Sequence, residues 1–264
     1  MKRVLTSFLF LLCSCSSYLI TENTSDEFPS DSDIGGWSRG QISEKRILFD
    51  GVYRRTAEYL SVTNEGVIDC TLYECDKTEN LLNYFNIAGQ IVVEEKPGAI
   101  VRRSENQSVI LLNGRLVSIA CSISGTNLKY FENYFIPQNP KDDLPGEIKY
   151  FDLYENVFYS EEGSIFASPV KMFRGRLAGM NEYDFFISKK ISEDGLKTAC
   201  DYYLGLDGVM IESFLKKRIF IIKKSKYYEF ACADKYRIFC FSGVESVEKC
   251  KLLAEKTEKI INEN

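Results

Sequence analysis

Alternating and continuous apolar segments in the middle of the chain predict antiparallel β-strands. Four such segments follow one another between residues 90 and 122, separated by short turns. Asn113-Gly114 joins the last two, and Asn-Gly between apolar segments is a strong hairpin signal because both residues accept positive φ angles. The sequence therefore predicts an antiparallel meander whose strands cover residues 90–95, 99–104, 109–112 and 115–122.

The second half of the chain predicts another meander and two helices. Three strand-like segments cover residues 218–224, 227–233 and 236–241. Ser192 is a typical N-cap, and we expect a short helix from there to residue 204. A final helix over residues 244–261 places one apolar face by steps of three and four, made of Val247, Cys250, Ala254, Thr257 and Ile261. The predicted fold class is a β-rich α+β fold with the C-terminal helix packed on a sheet.

The first residues have the layout of an export signal. Lys2 and Arg3 precede an apolar run over residues 4–12, and the small residue Ser14 follows it. The run has nine residues, whereas a membrane-spanning helix needs about 20. We therefore interpret residues 1–14 as a signal peptide that is removed.

Leu12-Cys13-Ser14-Cys15 resembles the lipobox of bacterial lipoproteins. This resemblance implies that Cys15 takes up lipid, that the leader is cut just before it, and that acyl chains hold the protein on a membrane. Cys13 competes as the modified residue, but Leu12 is too large for the small-residue position. Two alternatives stay open: an ordinary secretory leader cut around Ser16 or Ser17, and a cytosolic protein with an apolar start.

Residues 15–40 follow the leader and are rich in Ser, Thr, Asp and Glu. Their acidic side chains repel one another and no periodic apolar face is present, so we predict a disordered tether. A partner-binding tail is the alternative. The predicted globular body covers residues 41–264, with a boundary or long loop at residues 137–146, where three prolines lie.

The chain contains no histidine, and this excludes several reaction classes. Ser-His-Asp triads, Cys-His pairs and histidine-bound zinc cannot form. Carboxylate chemistry remains, but Asp142-Asp143 and Glu161-Glu162 are adjacent pairs whose side chains point apart. The net charge of −5 does not favour nucleic acid as a partner. The sequence predicts no cofactor and no metal site.

Seven cysteines lie outside the leader, and an oxidising compartment favours pairing them. A short turn after Cys232 would place Cys232 and Cys240 on opposite faces of a sheet. We therefore expect disulfides between Cys240 and Cys250 and, as a local loop, between Cys70 and Cys75. Reduced, buried cysteines are the alternative.

Together these features predict an exported lipoprotein held at the cell envelope, on the outer membrane or the cell surface. The expected role is non-catalytic binding or structural support, with an unidentified protein or glycan partner. The competing hypothesis is a histidine-free hydrolase of cell-wall or other polysaccharide that uses Asp or Glu. Two buried carboxyl groups about 5 to 10 Å apart in one pocket would favour the enzyme.

Overall fold

The computed structural model describes residues 27–63, 66–138, 144–160, 170–214 and 217–263, in two antiparallel sheets and three α-helices. The first sheet contains β1 Trp37–Ile42, β2 Arg46–Ile47, β3 Tyr53–Ser61, β4 Val67–Glu74, β5 Val92–Lys96, β6 Ala99–Arg103, β7 Gln107–Leu112 and β8 Arg115–Cys121. The second contains β9 Phe158–Ser160, β10 Met172–Leu177, β11 Met180–Ser188, β12 Val209–Phe214, β13 Lys217–Lys223, β14 Tyr228–Ala233 and β15 Ile238–Val244. The helices are α1 Lys129–Phe135, α2 Glu193–Leu204 and α3 Val247–Glu263, and 3-10 turns cover Phe49–Gly51, Thr78–Tyr84 and Ile148–Tyr150.

The strand order confirms both predicted meanders and the β-rich α+β class. In the first sheet the order is β1-β3-β4-β8-β7-β6-β5, and β2 pairs with β3. In the second sheet the order is β12-β13-β14-β15-β11-β10-β9. Gly114 has a φ of 69° in the turn between β7 and β8, which is the left-handed conformation that the Asn-Gly signal predicts.

The predicted helices form, with one difference in type. Ser192 caps α2, because its Oγ accepts a hydrogen bond from the amide of Gly195 at 3.1 Å. The apolar face of α3 is buried from Cys250 to Ile261, as its spacing predicts. In the first half of the chain, Leu81, Leu82 and Phe85 also predict a short helix over residues 76–86. This segment instead forms the 3-10 turn Thr78–Tyr84, which buries Leu81 and Leu82.

Helices and turns cover the sheets on both faces. Residues 27–36 and α1 lie over one face of the first sheet, where Phe131 packs against Tyr59. In the second sheet α2 covers one face and α3 the other. One hydrophobic cluster contains side chains from both sheets, including Leu111 of β7 and Phe173 of β10. The two sheets come from opposite sides of the predicted 137–146 boundary, of which residues 139–143 lie outside the described ranges.

Side chains from the first half of the chain hold the edge strand β9. The amide group of Asn83 donates to the carbonyl of Tyr159 at 3.2 Å and accepts from its backbone N–H at 3.3 Å. Asn86 Oδ1 accepts from the amide of Val157 at 3.1 Å. These side chains take the place of a neighbouring strand, so the edge of the second sheet is fixed to the first half.

The prediction of a disordered tether is wrong for residues 27–40, because this segment is folded against the first sheet. Phe28 and Ile34 are buried, and Trp37–Ile42 is strand β1. The carbonyl of Pro29 accepts a hydrogen bond from the Tyr59 hydroxyl at 2.9 Å. Asp31 accepts from the amide of Arg39, which lowers the pKa of Asp31. The acidic side chains thus stabilise turns, and we call residues 27–36 the strap. Residues 16–26 of the predicted tether lie outside the described ranges.

Replacing Phe28 by Ala tests whether the strap belongs to the folded body. We expect Phe28→Ala to lower the free energy of unfolding by about 3 kcal/mol, because it removes a buried aromatic ring. Phe49→Ala is the matched control, since Phe49 is exposed to solvent, and it should change that free energy by less than about 0.5 kcal/mol. Urea denaturation measures both variants, and equal effects would contradict the buried position of Phe28.

Candidate functional site

A polar cleft lies where turns of the first half meet loops of the second sheet. It has a volume of about 520 Å³. Its walls come from the 3-10 turn Thr78–Tyr84, the β7–β8 turn, the start of the 3-10 turn Ile148–Tyr150, the end of β11 and the β14–β15 loop. The lining residues are Asp76, Thr78, Glu79, Asn113, Pro145, Gly146, Glu147, Lys189, Lys190 and Arg237.

Two ion pairs span the cleft. Lys189 Nζ donates to Glu79 Oε1, and Arg237 Nη2 donates to Glu147 Oε1 at 3.1 Å. The glutamate side chains are only 7% and 10% exposed, respectively. Arg237 Nε is buried and has no hydrogen-bond partner among the described residues. The cleft therefore contains two nearly buried carboxylates held by cations, and one donor of Arg237 remains unused.

Two tyrosines lie close to these charges. Burial is the main cause that raises the pKa of Tyr159 to about 12, and the carboxylates of Glu79 and Glu147 raise it further. The guanidinium carbon of Arg237 lies 6.0 Å from the ring centroid of Tyr150, whose pKa is also raised, mainly by burial. Both phenols therefore keep their protons at neutral pH and act as neutral hydrogen-bonding groups.

Local hydrogen bonds fix the wall that carries Glu79. Thr78 Oγ1 donates to Asn113 Oδ1 at 2.6 Å and accepts from the amide of Gly114 at 2.7 Å. This ties the 3-10 turn to the β7–β8 turn. Glu79 lies at the start of the 3-10 turn Thr78–Tyr84, where backbone N–H groups without a helical partner favour a negative charge.

The charges of the cleft balance. Three acidic side chains (Asp76, Glu79 and Glu147) face three basic ones (Lys189, Lys190 and Arg237), and Thr78 and Asn113 add neutral polar groups. Such a lining offers both donors and acceptors, which suits a polar ligand of low net charge. Among the described residues, no group of three Cys, Asp or Glu side chains is placed to hold a metal ion.

A second groove, of about 430 Å³, adjoins the cleft and shares Asp76 and Asn113 with it. It extends to Lys45 and Tyr53 of the β2–β3 region. Glu74 in this groove accepts hydrogen bonds from Lys45 and Arg115, and these partners lower the pKa of Glu74 although its burial opposes them. The two openings together form a continuous polar surface.

Glu79 and Glu147 were not identified by the sequence analysis as a pair. Each is a single acidic residue beside a turn, and no local spacing relates them. Their proximity depends on how the two halves of the chain pack together. The spacing of apolar residues along the sequence does not predict that packing. The adjacent pairs considered earlier, Asp142-Asp143 and Glu161-Glu162, lie outside the described residues, as do Cys15 and the whole leader.

The predicted disulfides are absent, since none of the seven cysteines of the described residues is joined to another by a disulfide bond. Cys70 lies in the cluster under α1, whereas Cys75 lies in the cluster shared by the two sheets. Cys240 faces α2, whereas Cys250 belongs to α3 on the other face of β15. A sheet therefore separates the members of each predicted pair. The prediction that Cys232 and Cys240 point to opposite faces is confirmed, because Cys232 lies opposite Phe239 and Cys240 opposite Ala231.

No protein-family model, curated protein or solved structure matches this chain. None of the helices in the described ranges combines the length and the apolar character that crossing a bilayer requires. Inferences about function therefore rest on the sequence, the cleft with its ion pairs, and the exposed surfaces of the fold.

Thiol labelling tests the positions of the cysteines. Without reductant, we expect Cys200 to react first, because the other six of these cysteines are buried, and we expect all seven to react after unfolding. Cys200→Ser should remove the fast reaction. Mass spectrometry of labelled peptides counts the modified sites, and fewer than seven in the unfolded, unreduced chain would instead support disulfides.

Proposed function

We propose that this protein is an exported lipoprotein, anchored to a membrane of the cell envelope through lipid on Cys15. The observation that supports the anchor is the leader, with its basic start, its apolar run of nine residues and the lipobox-like Leu12-Cys13-Ser14-Cys15. Eleven residues, 16–26, separate Cys15 from the strap in the sequence, and we call them the spacer. A short spacer keeps the body close to the membrane surface, on the outer membrane or the cell surface.

The body binds a protein or glycan partner through the polar cleft and performs no catalysis. The observation that carries this part of the proposal is the pairing of Glu79 with Lys189 and of Glu147 with Arg237. Ion-paired carboxylates hold the walls of the cleft in place, and the remaining hydrogen-bonding groups recognise polar groups such as hydroxyls or peptide amides. The balanced charge of the lining does not favour nucleic acid.

A carboxylate-dependent hydrolase of cell-wall or other polysaccharide is the second candidate. One observation favours it: two nearly buried glutamates, Glu79 and Glu147, line the same cleft. Glycosidases use two carboxyl groups, one of which donates a proton to the leaving group. Here each carboxylate already contacts a cation, Lys189 or Arg237. A cationic partner stabilises the charged form of a carboxyl group, whereas a general acid must carry a proton, so the ion pairs favour binding over hydrolysis.

Replacing Cys15 tests the anchor. Cys15→Ala should abolish incorporation of labelled fatty acid and release the protein from membranes, because the thiol that takes up lipid is lost. Cys13→Ala is the matched control and should keep both label and membrane retention. Metabolic labelling and membrane flotation measure the outcome. Persistent labelling of Cys15→Ala, or loss of label in Cys13→Ala, would refute the assignment of Cys15.

An activity screen separates the two candidates for the cleft. We expect no turnover of cell-wall polymer or other polysaccharides by the purified full-length chain. If turnover occurs, Glu79→Gln and Glu147→Gln should each lower it by at least about 100-fold, as expected for a general acid. Glu95→Gln is the matched control, because Glu95 lines a different groove. Turnover with this dependence would replace the binding proposal by the hydrolase.

A further inference from the structure

The hairpin between β2 and β3 carries an exposed apolar tip. Phe49 is 90% exposed and Ile47 is 71% exposed, and these are the two most exposed large apolar side chains among the described residues. Tyr53 is also exposed and lies directly across from Ile47 in the antiparallel pairing. We call Ile47, Phe49 and Tyr53 the apolar tip. Exposed apolar groups gathered in one place indicate a surface that contacts a partner or a membrane.

The tip is held firmly. The amide of Leu48 donates to the carbonyl of Val52 at 2.7 Å, and Gly51 takes a φ of 70° that closes the turn. Val52 is fully buried in the cluster shared by the sheets, and Leu48 packs against that cluster. Because the base of the hairpin is anchored in the core, Phe49 is presented at a fixed position outside it.

Two arginines lie behind the tip and favour an anionic partner. Arg46 and Arg54 are directly opposite each other in the β2–β3 pairing, and both are exposed. Like charges in this position repel each other. Neither arginine forms an ion pair within the described ranges. An anion between or beside them would relieve the repulsion, and phosphate groups suit guanidinium geometry.

The first residue of the strap lies beside this hairpin. Glu27, the first described residue, forms an ion pair with Arg55 at 2.8 Å. Tyr53 and Arg55 project from the same face of β3, about 7 Å apart along the strand. Residues 16–26 number eleven, and a segment of eleven residues spans at most about 40 Å. The apolar tip therefore lies within easy reach of a membrane that holds Cys15.

We propose that the apolar tip inserts into the phospholipid surface that carries the anchor, with Arg46 and Arg54 on headgroup phosphates. This inference rests on the proposed lipidation of Cys15. Aromatic and aliphatic side chains enter the boundary between headgroups and acyl chains, while arginines remain at the phosphates. The anchor supplies a high local concentration of membrane, so a contact of three side chains suffices to orient the body.

Tryptophan fluorescence in brominated vesicles tests this orientation. Trp37 is the single tryptophan of the chain, so a Trp37→Phe background accepts one new probe. Phe49→Trp places the probe at the tip. Leu252→Trp is the matched control, because Leu252 is 53% exposed on α3 of the second sheet. The lipid-modified full-length chains are reconstituted into phosphatidylethanolamine and phosphatidylglycerol vesicles with brominated acyl chains, and circular dichroism checks that each chain folds.

We expect the tip probe to shift its emission to the blue in the vesicles and to lose most of its intensity to bromine, while the Leu252→Trp probe keeps its intensity. Vesicle-bound chains with an unquenched tip would overturn the proposal and leave the anchor intact. Equal quenching of both probes would overturn it as well. A blue shift that depends on protein concentration without lipid would assign the tip to contact between copies instead. Failure of the lipid-modified chain to bind vesicles would overturn the anchor, and with it this inference.

Discussion

The buried guanidinium group of Arg102 forms hydrogen bonds to both halves of the chain. The cleft depends on these hydrogen bonds, because its walls come from both halves. Arg102 Nη1 donates to the carbonyl of Phe85 and to Asn86 Oδ1, and its Nη2 donates to the carbonyl of Glu155 at 2.9 Å. Burial lowers the pKa of Arg102 to about 10, so the group is still charged at neutral pH. Among the described residues no carboxylate forms a direct ion pair with Arg102, although the charges of Glu155 and Asp152 raise its pKa. Such a buried charge is tolerated only while its carbonyl and amide acceptors stay in place. The segment that leads to β9 is therefore fixed against the 3-10 turn that carries Glu79.

Local sequence signals predicted the paired strands because turn chemistry and period-two alternation act over a few residues. Asn113-Gly114 and the apolar segments around it specify the hairpin without reference to the rest of the chain. The strap was missed for the opposite reason. Its composition is that of a solvated spacer, and its buried residues are Phe28, Pro29 and Ile34. The carboxylates of Asp31 and Asp33 accept backbone hydrogen bonds, a use of acidic residues that charge counting does not reveal.

The alternation of side chains along a strand predicts the sheet face on which a cysteine lies, but it does not predict the partner of that cysteine. Cys232 and Cys240 lie on opposite faces, as expected. A two-residue turn at Asp234-Lys235 would place Cys232 opposite Arg237, whereas the longer turn of the structure places it opposite Phe239. A shift of two residues keeps the faces unchanged, whereas a shift of one would exchange them. Choosing a partner for Cys250 required knowledge of which face α3 covers. The face that α3 covers is set by long-range packing, as is the proximity of Glu79 and Glu147. No short stretch of sequence predicts either one.

The proposed membrane contact and the proposed binding site are physically related. The groove that begins at Lys45 and Tyr53 continues through Asp76 and Asn113 into the cleft. If the apolar tip orients the body, one end of this polar surface lies near the headgroups. A strongly basic cleft in that position would bind anionic lipids in competition with its ligand. The equal numbers of acidic and basic residues avoid that competition, and the hydrogen-bonding groups remain available for a polar partner.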